Sequence, residues 1–444
     1  MPAVSRKKTK VEKVEIAPEF QAIAASVHEA TLPNGLQIRL IPNNAVPTCS
    51  FYTFFRVGAR NERPGITGIS HLFEHMMFNG AKKYGPGEFD RVLESNGGTS
   101  NAYTSNDLTV YYEDFMSEAL ETVCDLESDR MRSLAVTPKL LTSERAVVME
   151  ERRLRVDNEI AGMMDEELSS LVYKAHPYRW PVIGWMKDIE NITRDDCLNY
   201  FRTYYAPNNA TVVIAGDFEP KAALALLKKY YGPIKSGPPV PAVLDAEPEQ
   251  KGERRAEIHY PAQAHSLMVA WRGPPADSRD TLALDVAQFA LSIGQSSRLS
   301  KKLVYELEVA VGVSVDWTWR FDPGTFTVGM ELKPEGNPLE AEAALQAEID
   351  AIAERGLDAR ELEKAKNNLT ATLMRELVTN SGRAHGLGTY EMMLGDWRKG
   401  LALPSAYEAI TSEDVKRAVR TYLSKERRNV VTLVPQRENE AASA

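Results

Sequence analysis

The sequence predicts an α+β fold in which one two-layer α/β unit is used twice, and three observations carry that prediction. The first is a repeat. "ITRDDCLNYFRTYYAPNNATVVIAG" from Ile192 returns as "ITSEDVKRAVRTYLSKERRNVVTLV" from Ile410, an offset of 410 − 192 = 218 that runs without a gap through Arg202/Arg420, Tyr204/Tyr422 and Val212/Val430. A period of about half the chain marks an internal duplication, not a solenoid. The second is that both halves mix β-like apolar runs with long helical patterns. The third is the stretch "GPIKSGPPVPAVLDAEPEQKGERRAE", residues 232–257, whose Pro, Gly and charge content suits a junction. The expected organisation is a tail over 1–26, a first unit over 27–232, a linker over 233–257 and a second unit over 258–444.

In chain order, the tail carries the basic run "SRKKTKVEK" at 5–13, which reads as solvated. "CSFYTFFRVGA" from Cys49 is strand-like. Ile69, Leu72, Phe73, Met76 and Met77 follow helical spacing, so 68–79 should be an amphipathic helix that Gly80 ends. Helical patterns cover 116–133 and 142–155. In both copies of the repeat a Thr N-cap, Thr193 or Thr411, precedes an acidic first turn, a helix and an apolar strand. In the second unit "HSLMVAWRG" from His265 is strand-like and 338–376 is helical.

Composition narrows the function. With 444 residues, 43% of them hydrophobic, the chain can bury a sizeable core. A formal charge of −9 and a pI near 5.5 argue against nucleic-acid binding, which needs a basic footprint. Three scattered cysteines make neither a disulfide framework nor a Cys-rich metal module. No run reaches the ~20 apolar residues of a membrane span, and the first residues lack the apolar centre of a secretory signal.

The chemistry concentrates in "GISHLFEHMMFNGA", residues 68–81, where His71, Glu74 and His75 fall within five positions of a chain with seven histidines. Two imidazoles at i and i+4 can hold one zinc ion, and a glutamate beside them can take a proton from water. The corresponding region of the second unit, "DVAQFALSIGQSSRLS" at 285–300, has no histidine and no glutamate. A feature present in only one of two like units is hard to assign to the fold. A catalytic zinc needs a third protein ligand. The helix 142–155 offers Glu144, Glu150 and Glu151, of which Glu144 and Glu151 share a face. Spacing alone also allows all three to be surface carboxylates supported by Arg145, Arg152, Arg153 and Arg155.

At this point the chain resembles the pitrilysin-type zinc metallopeptidases, the inverzincins, in the short bacterial form related to the mitochondrial processing peptidase. His-x-x-Glu-His is followed by a Glu 76 positions on (151 − 75 = 76), and the likeness extends through "GGTSNAYTSNDLTVYY" (97–112), "HPYRWPVIGW" (176–185) and "GQSSRL" (294–299). The resemblance implies one Zn2+ per chain held by His71, His75 and Glu151, with Glu74 as general base and Glu144 as an acidic neighbour that orients a ligand. It implies that Asn101, Ala102, Tyr103 and Thr104 form an edge strand to which an extended peptide adds. It also implies one side of a clamshell, with peptides or unfolded segments as substrates. His176 is expected to be structural, since a fourth protein ligand would close the site.

One departure bears on partners. The family pattern places an Arg and, thirteen residues later, a Tyr facing the scissile bond. Here Arg298 stands in "SSRL", but Val311 occupies the Tyr position, and Tyr305 lies on the intervening helix. The expectation is a heterodimer whose other subunit, related to this one, supplies the Arg/Tyr pair, with a homodimer as alternative. A presequence-processing peptidase and a non-catalytic structural subunit are the other readings. Periplasmic residence, with a leader absent from this chain, is expected by analogy with exported bacterial relatives; the cytoplasm is the alternative.

Overall fold

The computed structural model describes residues 14–243 and 246–436; the basic run at 5–13 lies outside them. The first unit builds a six-stranded sheet from β1 (His28–Thr31), β2 (Gln37–Pro42), β3 (Thr48–Phe55), β4 (Thr99–Thr104), β5 (Thr109–Met116) and β6 (Ala210–Gly216), in the order β1-β2-β6-β3-β5-β4. The second builds a five-stranded sheet from β7 (Arg254–Pro261), β8 (Ser266–Arg272), β9 (Ala310–Thr318), β10 (Thr325–Leu332) and β11 (Asn429–Gln436), in the order β7-β11-β8-β10-β9. Without β1 the two orders correspond strand for strand, and each has one parallel pair, β2 with β6 and β7 with β11.

The repeat is reproduced down to its caps. Helices Arg194–Tyr204 and Ser412–Tyr422 begin and end 218 residues apart, each opened by a reciprocal Thr–Asp box. Thr193 N–H donates to Asp196 at 3.0 Å and Thr411 N–H to Asp414 at 3.0 Å, satisfying N–H groups the helix cannot pair internally.

Between the units the fold is exchanged. Helix Asn380–Leu394, from the second unit, lies across β3 and β6 of the first sheet; helix Ile160–Val172, from the first, lies across β7, β8 and β11 of the second. Phe54 and Val213 therefore share one core with Ala384 and Leu387, and Met164, Leu168 and Val172 pack with Ala270, Val431 and Leu433. Gly388 makes the first crossing possible, because a Cβ there would overlap the Phe54 ring. This explains why β3 is buried on both faces, a near-continuous apolar run where a one-faced strand would alternate.

Several boundaries differ from the sequence reading. The helix expected over 68–79 is Ile69–Met76, followed by tight turns to Gly80, whose φ is +90°. The pattern over 116–133 starts as an α-helix only at Leu120, since Met116 closes β5. Residues 338–376 are two helices, Pro338–Arg355 and Ala359–Glu376, because Gly356 (φ +73°) stops the first and Asp358 caps the second. The helix expected over 142–155 runs from Pro138 to Arg152 and continues as one wider turn over Arg153–Asp157. Within the tail, Ala17 and Phe20 are buried with the second unit's core and Ala17 N–H donates to Leu401 O. Cys49, Cys124 and Cys197 are buried and unbridged. Among the described residues no helix is long and apolar enough to cross a membrane.

Candidate metal centre

Helix Ile69–Met76 is anchored by its apolar face: Ile69, Leu72, Phe73 and Met76 are buried, and Tyr111 O–H donates to Phe73 O at 3.1 Å. Its N-terminus is closed from outside the helix. Gly68 N–H and Ser70 N–H each donate to Glu62 at 2.8 Å, an acidic group at the positive end of the helix dipole. Burial pushes the Glu62 carboxyl up to about 8, and the nearby charge of Asp188 adds to the rise. Asp188 itself accepts from Gly65 N–H at 3.0 Å and from the Thr67 hydroxyl at 2.7 Å. Gly68 (φ +87°) and Gly184 (φ +83°) meet backbone to backbone; a Cβ on Gly68 would stand 3.1 Å from Gly184 Cα. The stretch "HPYRWPVIGW" thus holds the helix of His71 and His75 in place.

The second element, helix Pro138–Arg152, opens on Thr137, which accepts from Leu140 N–H. Its arginines decide how its glutamates are used. Arg145 donates to Glu190 O and Ile192 O, and Arg152 to Gly184 O and Glu166, so both dock the helix to its surroundings. Glu150 is 61% exposed and pairs with Arg153, an ordinary surface ion pair. Glu144 and Glu151, with side chains 15% and 21% exposed, turn towards the histidines. Spacing left the three glutamates unsorted; the structure sets Glu150 at the surface and Glu144 and Glu151 against the histidines.

Glu151 Oε2 lies 3.3 Å from His75 Nε2 and 3.7 Å from His71 Nε2, and one ligand atom from each of the three residues falls within 4.8 Å of the others. Donor atoms bound at ~2.0–2.1 Å to one tetrahedral zinc stand roughly 3.4 Å apart. His75 Nδ1 faces Glu144 Oε2 at 3.8 Å, and Arg155 pairs with Glu151 at 3.0 Å. Burial, with the charges of His75 and Arg155, pulls His71 down to about 3, so it is neutral near pH 7, the form that ligates metal. His71 Nδ1 is buried without a hydrogen-bond partner among the described residues. Two imidazoles and one carboxylate, converging with no hydrogen bond to one another, fit a divalent zinc.

Glu74 points towards β4 and lies beside Thr104. Burial holds its pKa above the ordinary carboxylate value, opposed by Thr104 and His75. Asn101, Ala102, Tyr103 and Thr104 all lie on β4, the outermost strand of the first sheet, paired with β5 through Asn101↔Tyr112 and Thr104↔Thr109. Among the described residues no strand covers its other edge. Arg298 does not join the cluster: its guanidinium makes two 2.7 Å bonds to Glu361 and lies 3.6 Å from Glu348, all in the second unit. Val311 sits on edge strand β9, and both it and Tyr305 are exposed. His176 is buried apart from the cluster, accepting from Tyr178 N–H and bonded to Asp322. Sequence reasoning missed Glu62 and Asp188, because neither stands in a capping-box position; the only signal was an acidic residue just ahead of the "RPGITG" turn.

An imidazole pair and a carboxylate gathered beside a further glutamate and an open sheet edge define a metallopeptidase-like site. Comparison with known proteins agrees. Residues 39–184 match the family described as Insulinase (Peptidase family M16), and residues 191–369 match its Peptidase M16 inactive domain. His71, Glu74, His75, Glu144 and Glu151 all fall inside the first match. The zinc protease PqqE of Helicobacter pylori is 34% identical over 80% of this chain and 81% of that protein. A probable mitochondrial-processing peptidase subunit beta of Arabidopsis thaliana is 25% identical over 90% of this chain and 77% of that protein. Among solved structures, a protease from Helicobacter pylori superposes with a TM-score of 0.89 at 29% identity, covering 92% of this chain and 99% of that one. The periplasmic protease PqqL of Escherichia coli shares the fold with a TM-score of 0.75 at 19% identity, over 94% of this chain but 48% of that one. The chain belongs to the pitrilysin-type peptidase family M16.

Proposed function

We propose that this chain is a zinc-dependent endopeptidase, the catalytic member of a pair, which hydrolyses peptides or unfolded segments. The observation that carries the reading is the convergence of His71, His75 and Glu151 beside Glu74 and the free edge of β4. His71, His75 and Glu151 would hold the metal, with Glu144 orienting His75 through its Nδ1 face. A zinc ion so held supplies Lewis acidity and brings the acidity of water towards neutral pH. β4 receives an extended peptide by main-chain hydrogen bonds, which select backbone over side chain. Glu74 takes the proton from the attacking water on its carboxylate and returns it to the leaving amine nitrogen, so the carboxylate ends as it began.

Two observations favour a partner. Val311 occupies the family's Tyr position, and Arg298 is engaged by Glu361 and Glu348 of its own unit. A related subunit supplying an Arg/Tyr pair completes the site in this reading; a second copy of this chain is the alternative. Co-purification with related chains, followed by peptide cleavage with and without them, tests it: full turnover by the isolated chain at monomer concentrations refutes the heterodimer. For the catalytic assignment, metal analysis should find one zinc per chain. Glu74→Gln should keep that zinc while losing at least about 100-fold in kcat. A chain that binds no stoichiometric zinc is a structural subunit instead. Periplasmic residence belongs to the same proposal and is read by fractionation of the native host.

A further inference from the structure

The strand offered to substrate is held from two sides, and only one side belongs to the metal-bearing unit. Ala102 and Thr104 face the metal helix, where Thr104 meets Glu74. Asn101 and Tyr103 face the opposite way; Asn101 is exposed, and Tyr103 meets helix Asn380–Leu394 of the second unit. There Tyr103 O–H lies 3.0 Å from His385 Nε2, and His385 Nδ1 lies 3.4 Å from Glu376. A carboxylate at Nδ1 places the imidazole proton on that nitrogen, so Nε2 accepts and the tyrosine hydroxyl donates. The rings pack edge to face with centroids 5.8 Å apart; Tyr52 flanks His385 at 5.9 Å and stacks on Tyr112 at 4.9 Å.

The duplication supplies a control. Phe54 pairs with Thr211 and Ala270 with Asn429, which stand 429 − 211 = 218 residues apart, so Phe54 and Ala270 are equivalent positions. Following the ladders outward, Phe54 leads through Val110 to Tyr103, and Ala270 through Thr327 to Asp316. One step along each sheet, Tyr52 and Tyr112 correspond to Met268 and Gly329. Where the first sheet is filled by three tyrosines and a phenylalanine under a histidine, the second carries Asp316, exposed, with Ala270, Met268 and Gly329. The shared architecture does not require the Tyr103–His385 contact. It is present on the sheet whose edge adjoins the metal centre.

We propose that His385 is a positioning residue for the peptidase site: it fixes β4 from behind through Tyr103, so that a peptide laid on that edge meets Glu74 and the metal ligands in register. The inference rests on the endopeptidase reading above. β4 has a neighbour on one side only, so its hold on an extended peptide depends on side-chain anchors that keep the strand in place. Gly388, one turn along from His385, lets the helix approach closely enough for the anchor to reach.

The test uses the full-length zinc-loaded chain, with any partner that activity requires. His385→Ala and Tyr103→Phe should each raise KM for an extended peptide about three- to tenfold, the range of one lost hydrogen bond, with kcat within about twofold. The double variant should be no worse than either single. His385→Gln, which can still accept from Tyr103, should restore KM. Independently of activity, amide hydrogen exchange at residues 99–104 should quicken in His385→Ala while β3 and β6 keep their protection. Unchanged exchange at β4, or a fall in kcat with KM unchanged, overturns the proposal. If the unsubstituted protein cleaves no peptide, the endopeptidase reading fails, and the exchange experiment still decides whether His385 holds the strand.

Discussion

Gly184→Ala is the substitution that best separates packing from chemistry at this site. Gly184 has φ +83°, and a Cβ there would stand closer than 3.0 Å to Gly68 N and to the Thr67 carbonyl group, backbone atoms that have no side-chain freedom to yield. The left-handed backbone costs an L-residue about 1–2 kcal/mol. Forcing a methyl into a packed contact costs typically 1–3 kcal/mol more. A loss of roughly 2–5 kcal/mol in unfolding free energy is expected. Gly65 supplies the comparison: its φ is +95°, but nothing lies within 4 Å of its would-be Cβ, so Gly65→Ala should show the backbone part alone. Gly68 heads the helix that carries His71 and His75, so the displaced contact should also move the ligands. Zinc affinity, measured by competition with a chelator, should fall at least tenfold in Gly184→Ala and stay within about threefold in Gly65→Ala. Urea titration of both variants gives the stability arm. Equal stability losses in the two variants, or unchanged zinc affinity in Gly184→Ala, would refute the claim that the Gly68–Gly184 contact seats the helix of His71 and His75.

Other outcomes follow from the same geometry. Glu151→Gln should lower zinc affinity by at least about tenfold, whereas Glu150→Gln, which breaks only an exposed pair with Arg153, should change stability by less than ~1 kcal/mol and leave zinc binding intact. Burial pushes Glu62 up to about 8 and Asp285 up to about 7, from ordinary values of 4.5 and 3.8. A raised carboxyl binds its proton more tightly folded than unfolded, so the stability it contributes is full below its ordinary value and lost as pH rises through the folded value. Urea titrations from pH 5 to 8 should therefore show stability falling with pH, with a shallower fall in Glu62→Gln and in Asp285→Asn. Chelation should abolish peptide cleavage and added zinc should restore it.

Much of the molecule is visible in local pattern. The 218-residue repeat, its Thr caps and the His-x-x-Glu-His helix each depend on neighbours within a few positions, where periodicity and capping chemistry act. Where the expectation failed, a distant group or a single backbone angle decided. Gly356 divides 338–376 because its φ is positive, which helical spacing does not register. The glutamates at 144, 150 and 151 could not be sorted by spacing, since the arginines that dock their helix reach Glu190, Ile192, Gly184 and Glu166.

The residues that would hold zinc, and the duplication that frames them, are written in short-range order: helical spacing puts His71 and His75 on one face whatever the rest of the chain does. Tertiary structure decided what surrounds them. Helix Asn380–Leu394 crosses to the first sheet and helix Ile160–Val172 to the second because each sheet has an apolar face that its own unit leaves uncovered. Hydrophobic burial is non-directional and specifies no partner, so no periodicity in either half reveals that the cover comes from the other. Through that exchange, a histidine more than 280 residues away in sequence comes to stand behind Tyr103.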